Sequence, residues 1–569
     1  EKQQINLFKR TFLSGQMQRI DKKMLLAAWS VNNPYWIINQ AYHIPLRKIF
    51  KDVKDFDPQE VTYKYGKQSM NKHFLDLLRN YKPDYIMLFL VGDEFYPETL
   101  VKIKEILPNV KVVQWNGDDD IKFENYTVPY SLAIDYQFIS QLQFSKSYDN
   151  YNLPWFDMLG ADTNKFRPLN LKKKYDVAFI GTPKGDRLKY MRFLLKKNVN
   201  FVLGGAGWDQ YPEFKKNYLG KIPDEEVIKL INETKITLCF SQNFFSVPHV
   251  LERSLAVNAC KSFALTEYVE GYFSKFTEHK DFASFKNEEE LYEKINYYLK
   301  YEKEREQIAN RAYDKVTKRF SNQKMLSDAF KAIEKDNREL HGNTARDRYL
   351  TRKPVYLDKK DLILGIGHLK KKTAGAEYIC FKSKGYKNIP YRDYFQVYSM
   401  DLVKKPISIC CAQLSSYIIG DYSFLDVYYA YTYLDKKYFY ENTDIAQFMV
   451  RRDFFLANFK KFIALYNGAK AAFINPNSTM FISVPLVITR KIKRLPLRNI
   501  DHIVFSVLDL NLLVLRNQKR LFKSSFIYKL IFYSIFINPH LLKHILVNIL
   551  PKSKDARLMK ISNFFNKIF

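Results

Sequence analysis

The sequence has few cysteines and no long apolar stretch, and both absences exclude classes of protein. Five cysteines are spread over 569 residues, and only Cys410 and Cys411 are neighbours. This pattern has neither the spacing of a zinc site nor that of a secreted disulfide framework, so a reducing cytoplasm is expected. No apolar run reaches the ~20 residues that a membrane-spanning helix needs. We therefore expect any membrane contact to be peripheral.

Acidic residues are also scarce relative to basic ones. The chain has 91 Lys and Arg against 60 Asp and Glu, a formal net charge of +31. An excess of this size predicts an acidic partner, such as nucleic acid, an anionic membrane surface or a phosphorylated substrate. The hydrophobic share of 47% is that of a folded globular protein, and the length predicts about three domains.

Apolar runs that end in acidic residues characterise the first part of the chain. Tyr85–Val91 and Lys111–Trp115 are predicted strands, followed by Asp93 and by Asp118–Asp120. Because ligands of open α/β sheets bind beyond the carboxyl ends of the strands, both acidic clusters should face a cleft. Asp118 or Asp93 is therefore a candidate general base. For Asp118–Asp120, a metal site and a solvated turn that caps the next helix are the alternatives.

Glycine turns and cations follow the strands of the second part. The predicted strand Tyr175–Ile180 leads into Gly181 and Thr182, with Lys184 and Arg187 close behind. Backbone N–H groups at a strand end and two nearby cations are suited to bind a diphosphate. A plain turn with solvated cations is the alternative interpretation.

Further candidates follow the next strands and the next predicted helix start. Gly205 and Trp208 are candidates to line a nucleotide base or a diphosphate, with core packing as the alternative for Trp208. Ser241 is a candidate neutral donor at a strand end. Arg253 lies one turn inside a predicted helix, where an arginine binds phosphate well. His249 is a candidate to polarise a diphosphate or a hydroxyl, or else is structural.

These motifs, in this order and spacing, resemble the nucleotide-sugar half of spore-maturation-type (CgeB-like) glycosyltransferases, which have the GT-B fold. The resemblance covers roughly the first 335 residues, and its matching points are Asp176–Gly181, Arg187, Gly204–Trp208, Arg253, Phe263–Glu267, Leu291–Phe320 and the crossover segment Leu159–Pro168. It implies an α/β protein of GT-B type with two Rossmann-like domains facing a cleft.

The resemblance also implies roles for residues. Arg187, Arg253 and Lys184 would stabilise the leaving diphosphate of a nucleotide sugar, and no metal or other cofactor is expected. The donor would contact a set of positions in the second domain, namely Gly181, Thr182, Lys184, Arg187, Gly205, Trp208, Ser241, His249, Arg253, Thr266 and Glu267.

Two positions depart from the family pattern. Ala256 stands where the family usually has a glutamate that binds the donor ribose, and Lys261 stands where a glycine is usual. A bulky side chain is unfavourable at a tight turn. Either Glu252 or Glu267 holds the donor differently, or this half of the protein is degenerate.

The predicted organisation has five parts. They are an acceptor domain (1–168), a donor domain (169–335), a polar linker (336–354), an aromatic-rich α/β domain without a recognised family (355–488) and a basic amphipathic helical region (489–569). The fourth part is predicted to bind acceptor or to oligomerise, although Phe448–Phe455 weakly resembles the acceptor half of GT-A glycosyltransferases.

The C-terminal region is rich in cations. Residues 490–569 contain sixteen Lys or Arg and three Asp, interleaved with the apolar runs Phe526–Ile537 and Leu541–Leu550. Such a segment suits a helix lying in the interface of an anionic membrane. A helical bundle packed on the preceding domain is the alternative.

Together these features predict a glycosyltransferase that moves a sugar from a nucleotide-diphosphate donor to a glycan or lipid-linked glycan, at the cytoplasmic face of the membrane, in polysaccharide biosynthesis. One alternative is a catalytically degenerate protein of the same fold that binds glycan or membrane. Another is a nucleic-acid-modifying or nucleic-acid-binding protein. Because the charge is clustered among apolar residues rather than along a nucleic-acid motif, the sequence favours this last alternative least.

Overall fold

The computed structural model describes residues 19–28, 42–65, 67–90, 94–117, 119–183, 185–241, 252–269, 275–349, 352–383, 386–388, 391–414, 445–467 and 479–489. These residues form three β-sheets flanked by helices. The predicted segment 490–569 lies outside the described residues, so its membrane role stays a prediction. Within the described residues, no helix is both long enough and apolar enough to cross a membrane.

The first sheet has six parallel strands in the order β2-β1-β3-β4-β5-β6. Its strands are β1 (Ile20–Ala28), β2 (Phe50–Phe56), β3 (Tyr85–Phe89), β4 (Lys111–Asn116), β5 (Tyr136–Ile139) and β6 (Trp155–Asp157). The α-helices between them are α1 (Ile44–Ile49), α2 (Pro58–Tyr65), α3 (Lys67–Tyr81), α4 (Pro97–Ile106), α5 (Asp119–Lys122), α6 (Val128–Tyr130) and α7 (Ser145–Asn150). Short 3-10 or π turns connect several of them.

Both faces of this sheet are covered. Leu25 and Ala27 of β1 enter one apolar cluster, whereas Met24 and Leu26 enter the cluster on the opposite face. Successive residues of a strand point to opposite faces, so a continuous apolar run is what a doubly covered strand requires.

The second sheet has five parallel strands in the order β11-β10-β9-β7-β8. The strands are β7 (Tyr175–Ile180), β8 (Phe201–Gly204), β9 (Thr234–Cys239), β10 (Phe263–Glu267) and β11 (Ala283–Phe285). Its helices are α8 (Arg187–Lys196), α9 (Asp224–Glu233), α10 (Glu252–Ala259), α11 (Glu288–Lys300) and α12 (Glu302–Arg319). The α/β prediction with two Rossmann-like domains is thereby confirmed.

The next helix, α13 (Asn322–Glu334), returns to the first sheet. It begins after Ser321, whose side chain accepts a hydrogen bond from the Lys324 N–H. Leu326 and Phe330 pack in the same cluster as Met24 and Leu26 of β1. This helix falls in the range predicted for the second domain, yet it packs on the first sheet and so connects the two domains.

The third sheet is mixed, in the order β12-β13-β16-β15-β17-β14. Its strands are β12 (Val355–Leu357), β13 (Tyr378–Phe381), β14 (Tyr386–Asn388), β15 (Ile407–Leu414), β16 (Phe448–Arg451) and β17 (Thr479–Thr489). The accompanying helices are α14 (His341–Tyr349), α15 (Lys359–Ile363), α16 (Gly365–Lys372), α17 (Arg392–Val403), α18 (Arg452–Ala457) and α19 (Phe459–Tyr466). Pairs β12/β13 and β15/β17 are parallel and the others antiparallel.

The third domain shares a core with the first. Phe395 and Tyr398 of α17 belong to the cluster that covers one face of the first sheet, and the Tyr398 hydroxyl lies 2.7 Å from Ser131 Oγ. Residues of the predicted linker form α14, where the Gly342 N–H donates to Asp135 Oδ1 at 3.0 Å. The chain between the second and third domains is therefore packed against the first.

Candidate active site

The strand order of the second sheet indicates where a ligand is expected to bind. The chain runs from β7 to β8 on one side of β7 and then crosses to β9 on its other side. The strand order therefore reverses between β7 and β9, which is the switch point. Open α/β sheets bind ligands beyond the carboxyl ends of such strands. Gly181 directly follows β7, Ser241 follows β9, and Arg253 lies in the first turn of α10.

A single aromatic ring positions two arginines at this point. Phe179, in β7, is completely buried. The guanidinium carbons of Arg187 and Arg253 each lie 5.7 Å from the centroid of its ring. Both are within the range of a cation–π contact, which is stronger where water is excluded. The ring thus holds two like charges side by side.

Arg253 presents an unused donor beside Gly181. Its Nη1 is buried and has no hydrogen-bond partner among the residues that the structure describes. A Cβ built on Gly181 would lie 3.3 Å from each Nη atom of Arg253, so the guanidinium packs directly on the glycine backbone. An unsatisfied buried donor is costly unless a ligand completes it.

The charges around the pair favour an anion. Burial, and next the neighbouring Arg253, lower the pKa of Arg187 to about 10. Burial also lowers the pKa of Arg253. Glu267 opposes the effect on Arg187, but its Oε2 already accepts from Ser241 N at 2.9 Å and from Ser241 Oγ at 3.0 Å. The site therefore retains positive potential suited to a phosphate-bearing ligand.

The predicted glycines shape the site and pack closely together. Gly205 has a φ of +121°, and a Cβ there would lie 2.7 Å from the Gly181 carbonyl oxygen. Only glycine fits such a contact without moving the backbone. The Gly181 N–H donates to the Gly204 carbonyl at 2.8 Å, so in this structure it is occupied within the sheet.

Three other residues predicted to contact the sugar donor make hydrogen bonds or close contacts within the protein itself. Trp208 is 1% exposed and donates from Nε1 to the Gly181 carbonyl at 2.6 Å. It therefore stabilises the turn after β7 from within the core. The Thr182 carbonyl accepts from Arg187 Nη1 at 3.3 Å. Thr266 is buried, with Oγ1 3.4 Å from the Ala283 carbonyl.

Several predicted residues lie outside the described part of the chain: Asp93, Asp118, Lys184 and His249. Asp119 is described, and it is 2% exposed. It accepts hydrogen bonds from Thr127 Oγ1 and Tyr148 OH, which anchors the turn after β4. No group of three or more His, Cys, Asp or Glu side chains suited to a metal ion occurs in the described ranges.

Comparison with protein families gives one match. Residues 187–330, which include Arg187 and Arg253, match the family described as Glycosyl transferase-like. The chain contains a glycosyltransferase-like domain. No curated protein matches the sequence.

Several solved structures are similar to this chain over about half of its length. HepE of Anabaena, solved in complex with UDP, is 12% identical, with 55% of this chain and 99% of that chain covered and a TM-score of 0.41. A glycosyltransferase of Rickettsia africae is 12% identical, covering 55% and 98%, with a TM-score of 0.39. Sucrose-phosphate synthase of Thermosynechococcus elongatus is 12% identical, covering 55% and 88%, with a TM-score of 0.37.

Glu252, which the sequence offered only as an alternative donor contact, is influenced by residues outside the second sheet. Burial, and then Asp162 of the crossover segment, raise the pKa of Glu252 to about 7. Glu252 in turn contributes, after burial, to the raised pKa of Tyr42 in the first domain. Tyr42 accepts from Trp115 Nε1 at 2.9 Å, beside the carboxyl ends of β3 and β4. The Glu252 carboxyl therefore lies close enough to Tyr42 to disfavour ionisation of its hydroxyl.

Glu252→Gln is expected to stabilise the protein at pH 8 but not near pH 4. The pKa of Glu252 rises from 4.5 in the unfolded chain to about 7 when folded. Ionisation is therefore disfavoured by folding, and the penalty grows as the pH rises from about 4.5 to 7. Urea denaturation should show a free energy of unfolding higher by about 3 kcal/mol at pH 8. The exposed Glu225→Gln is the control, and an equal gain at both pH values would contradict the assignment.

Ala256 and Lys261, the two departures from the family pattern, lie in different structural environments. Ala256 is buried in α10 and contributes no polar group. Lys261, just after α10, has a φ of 55°, in the left-handed region. The Ser262 N–H donates to the Val257 carbonyl, as at other left-handed helix ends, and glycine is preferred at such a position.

Lys261→Gly is therefore expected to raise the free energy of unfolding by roughly 1 kcal/mol, because it removes the steric cost of the left-handed conformation. Lys261→Ala keeps Cβ and serves as the control. Equal urea midpoints for the two variants would show that the backbone at residue 261 is not strained.

Proposed function

We propose that this protein is a nucleotide-sugar-dependent glycosyltransferase whose second domain binds the donor. The observation that carries the proposal is the pair of guanidiniums on Phe179, with Arg253 Nη1 buried and without a hydrogen-bond partner among the described residues. The match of residues 187–330 to a glycosyltransferase-like family supports it.

In the proposed reaction, Arg187 and Arg253 bind the diphosphate and stabilise the negative charge that grows on it as the sugar departs. Donors already held in a site of low polarity stabilise such charge more than water does. Lys184, next in sequence to Gly185, would add a third cation. Asp118 or Asp93 would take the proton of the acceptor hydroxyl if the anomeric centre inverts.

The acceptor in this proposal is a glycan or lipid-linked glycan, bound by the first domain at the cytoplasmic face of a membrane. Trp115 is partly exposed near the carboxyl end of β4, and aromatic faces suit sugar rings. The sixteen cations of residues 490–569 support contact with anionic lipid.

The test is a thermal-shift screen of the full chain against UDP, GDP, CMP, dTDP and their nucleotide sugars, followed by assay of the stabilising sugars for release of nucleotide. The proposal predicts a rise in Tm with one base and release of that nucleotide on addition of glycan or lipid-linked acceptors. No stabilisation by any nucleotide would contradict it.

The absence of a polar group at Ala256 favours one second candidate, a glycan- or membrane-binding protein on a glycosyltransferase frame. It predicts that nucleotide binding, if any, leads to neither transfer nor hydrolysis with any sugar that stabilises the chain. Glycan or vesicle binding would persist in that case.

A further inference from the structure

The junction of α15 and α16 in the third domain exposes two large aliphatic side chains. Ile363 is 71% exposed and its neighbour Leu364 is 63% exposed. Because they are adjacent in sequence, they form one exposed apolar surface, here called the Ile363–Leu364 tip. Isolated exposed apolar residues are common, but an adjacent exposed pair with charged neighbours is a candidate interaction surface.

The tip is held in place by groups on both sides of it. Leu362 and Leu369 are almost fully buried in the core of the third domain. Asp361, between the tip and the core, accepts a hydrogen bond from the Asp358 N–H at 2.9 Å and pairs with Lys372 and His368. Asp358 caps α15 in return. The two helices are therefore fixed to each other, and the apolar pair points away from the core.

The turn itself projects into open space. Gly365 has a φ of +84°, which ends α15 and turns the chain at the tip. A Cβ built on Gly365 or on Gly367 would find no atom within 4 Å beyond its chain neighbours and the backbone of its own helix. No neighbouring part of the described chain covers this turn.

Exposed lysines surround the tip. Lys359 and Lys360 precede it in α15, and Lys370 and Lys371 follow it in α16. Lys359 and Ile363 are four residues apart in one helix, so they lie on the same side of it. Asp361, the acidic residue between these lysines in the sequence, is 6% exposed and already paired with Lys372.

We propose that this surface, the Ile363–Leu364 tip with Lys359, Lys360, Lys370 and Lys371, inserts into the interface of an anionic lipid bilayer. The apolar pair enters the boundary between headgroups and acyl chains, and the lysines remain at the level of the phosphates. This division of apolar tip and basic surround is that of peripheral membrane segments.

Charge complementarity is what favours lipid over a second copy of the chain. A copy with the same net charge of +31 would repel the lysine ring, whereas an anionic surface attracts it, by roughly fivefold in binding for each lysine. The inference is independent of residues 490–569 and of the proposed sugar transfer.

The experiment attaches the environment-sensitive dye NBD to Ile363→Cys in the full chain. The described native cysteines Cys239, Cys260 and Cys380 are buried, and unmutated chain treated identically gives the background. With phosphatidylcholine vesicles containing phosphatidylserine, emission is expected to shift to shorter wavelength and rise. Leu219→Cys, exposed in the second domain, is the matched site and should not shift.

Reversing the four lysines to glutamate in the labelled chain should raise the vesicle concentration needed for the shift by more than tenfold. Reversing Lys215 and Lys216, exposed in the second domain, should leave it unchanged. No shift at Ile363→Cys, an equal shift with pure phosphatidylcholine, or a shift that appears with protein concentration alone would each overturn the proposal. Because the dye reports only on the tip, vesicle binding through another segment does not produce the shift, and nucleotide binding is measured separately.

Discussion

Arg253→Ala is expected to lower kcat/KM for sugar transfer by about 10²–10³-fold, which is the effect of removing one preorganised donor from a developing charge. The affinity for the nucleotide diphosphate should fall by about 10–100-fold, since hydrogen bonds to charged groups are among the stronger ones. The reason is geometric. The guanidinium packs on Gly181 and its Nη1 has no partner among the described residues, so in this account the ligand is its partner.

The same change should stabilise the empty protein, or at least not destabilise it. Arg253 and Arg187 repel each other on one buried ring, and burial disfavours both charges. Arg253→Met, which keeps much of the volume, is the better variant for this measurement, and its Tm without nucleotide should exceed that of the unmutated chain. Function and stability then move in opposite directions, as they do at sites built for a ligand.

Arg192→Ala is the matched control. Arg192 belongs to the same domain, is 53% exposed in its side chain and pairs with Glu213. Its loss should change the kinetic constants less than twofold. If Arg253→Ala behaves like Arg192→Ala in transfer assays, the arginine pair does not bind the donor.

Asp135→Ala is expected to destabilise the protein by about 3–5 kcal/mol, because it leaves a buried lysine without its counter-charge. Asp135 Oδ2 accepts from Lys104 Nζ at 2.5 Å and from Val112 N at 2.8 Å, and both charged side chains are at most 2% exposed. Oδ1 accepts from Gly342 of α14. One carboxylate therefore links α4, β4 and the helix that leads to the third domain.

Urea midpoints measure this effect, with Asp314→Ala as the control. Asp314 pairs with Lys318 on the surface, where both side chains are more than 60% exposed, so its loss should change stability by less than about 1 kcal/mol. Replacing the buried pair together, as Lys104→Met with Asp135→Leu, should recover part of the loss. Equal midpoints for Asp135→Ala and Asp314→Ala would show that the buried pair does not join the domains.

Local sequence patterns were sufficient for the elements that bury both faces. Tyr85–Phe89, Lys111–Asn116 and Tyr175–Ile180 are strands where largely apolar runs predicted them, because such runs have few other stable environments. The helix α14 was predicted as linker, since 336–354 is polar. Its position depends on Asp135, which is more than 200 residues away, and no local pattern carries that contact.

The residues of the candidate site were also predictable only in part. Arg187 was found from its position after a predicted strand end, Arg253 from its position inside a predicted helix start, and both from the family resemblance. The structure brings them to one ring. Phe179 was only a strand residue in the sequence, because the side of the sheet that it faces depends on register. Glu252 was named only as an alternative donor contact; its approach to Asp162 and Tyr42 depends on the packing of two domains.

The most direct test of the central claim is calorimetric binding of nucleoside diphosphates and the matching monophosphates to the full chain, repeated with Arg187→Gln and Arg253→Gln. If the arginine pair holds a diphosphate, one diphosphate should bind at least about tenfold more tightly than its monophosphate, since the second phosphate adds charged hydrogen bonds. Each glutamine variant should reduce that difference. Equal affinities for the two nucleotides, or a difference unchanged in both variants, would contradict the account.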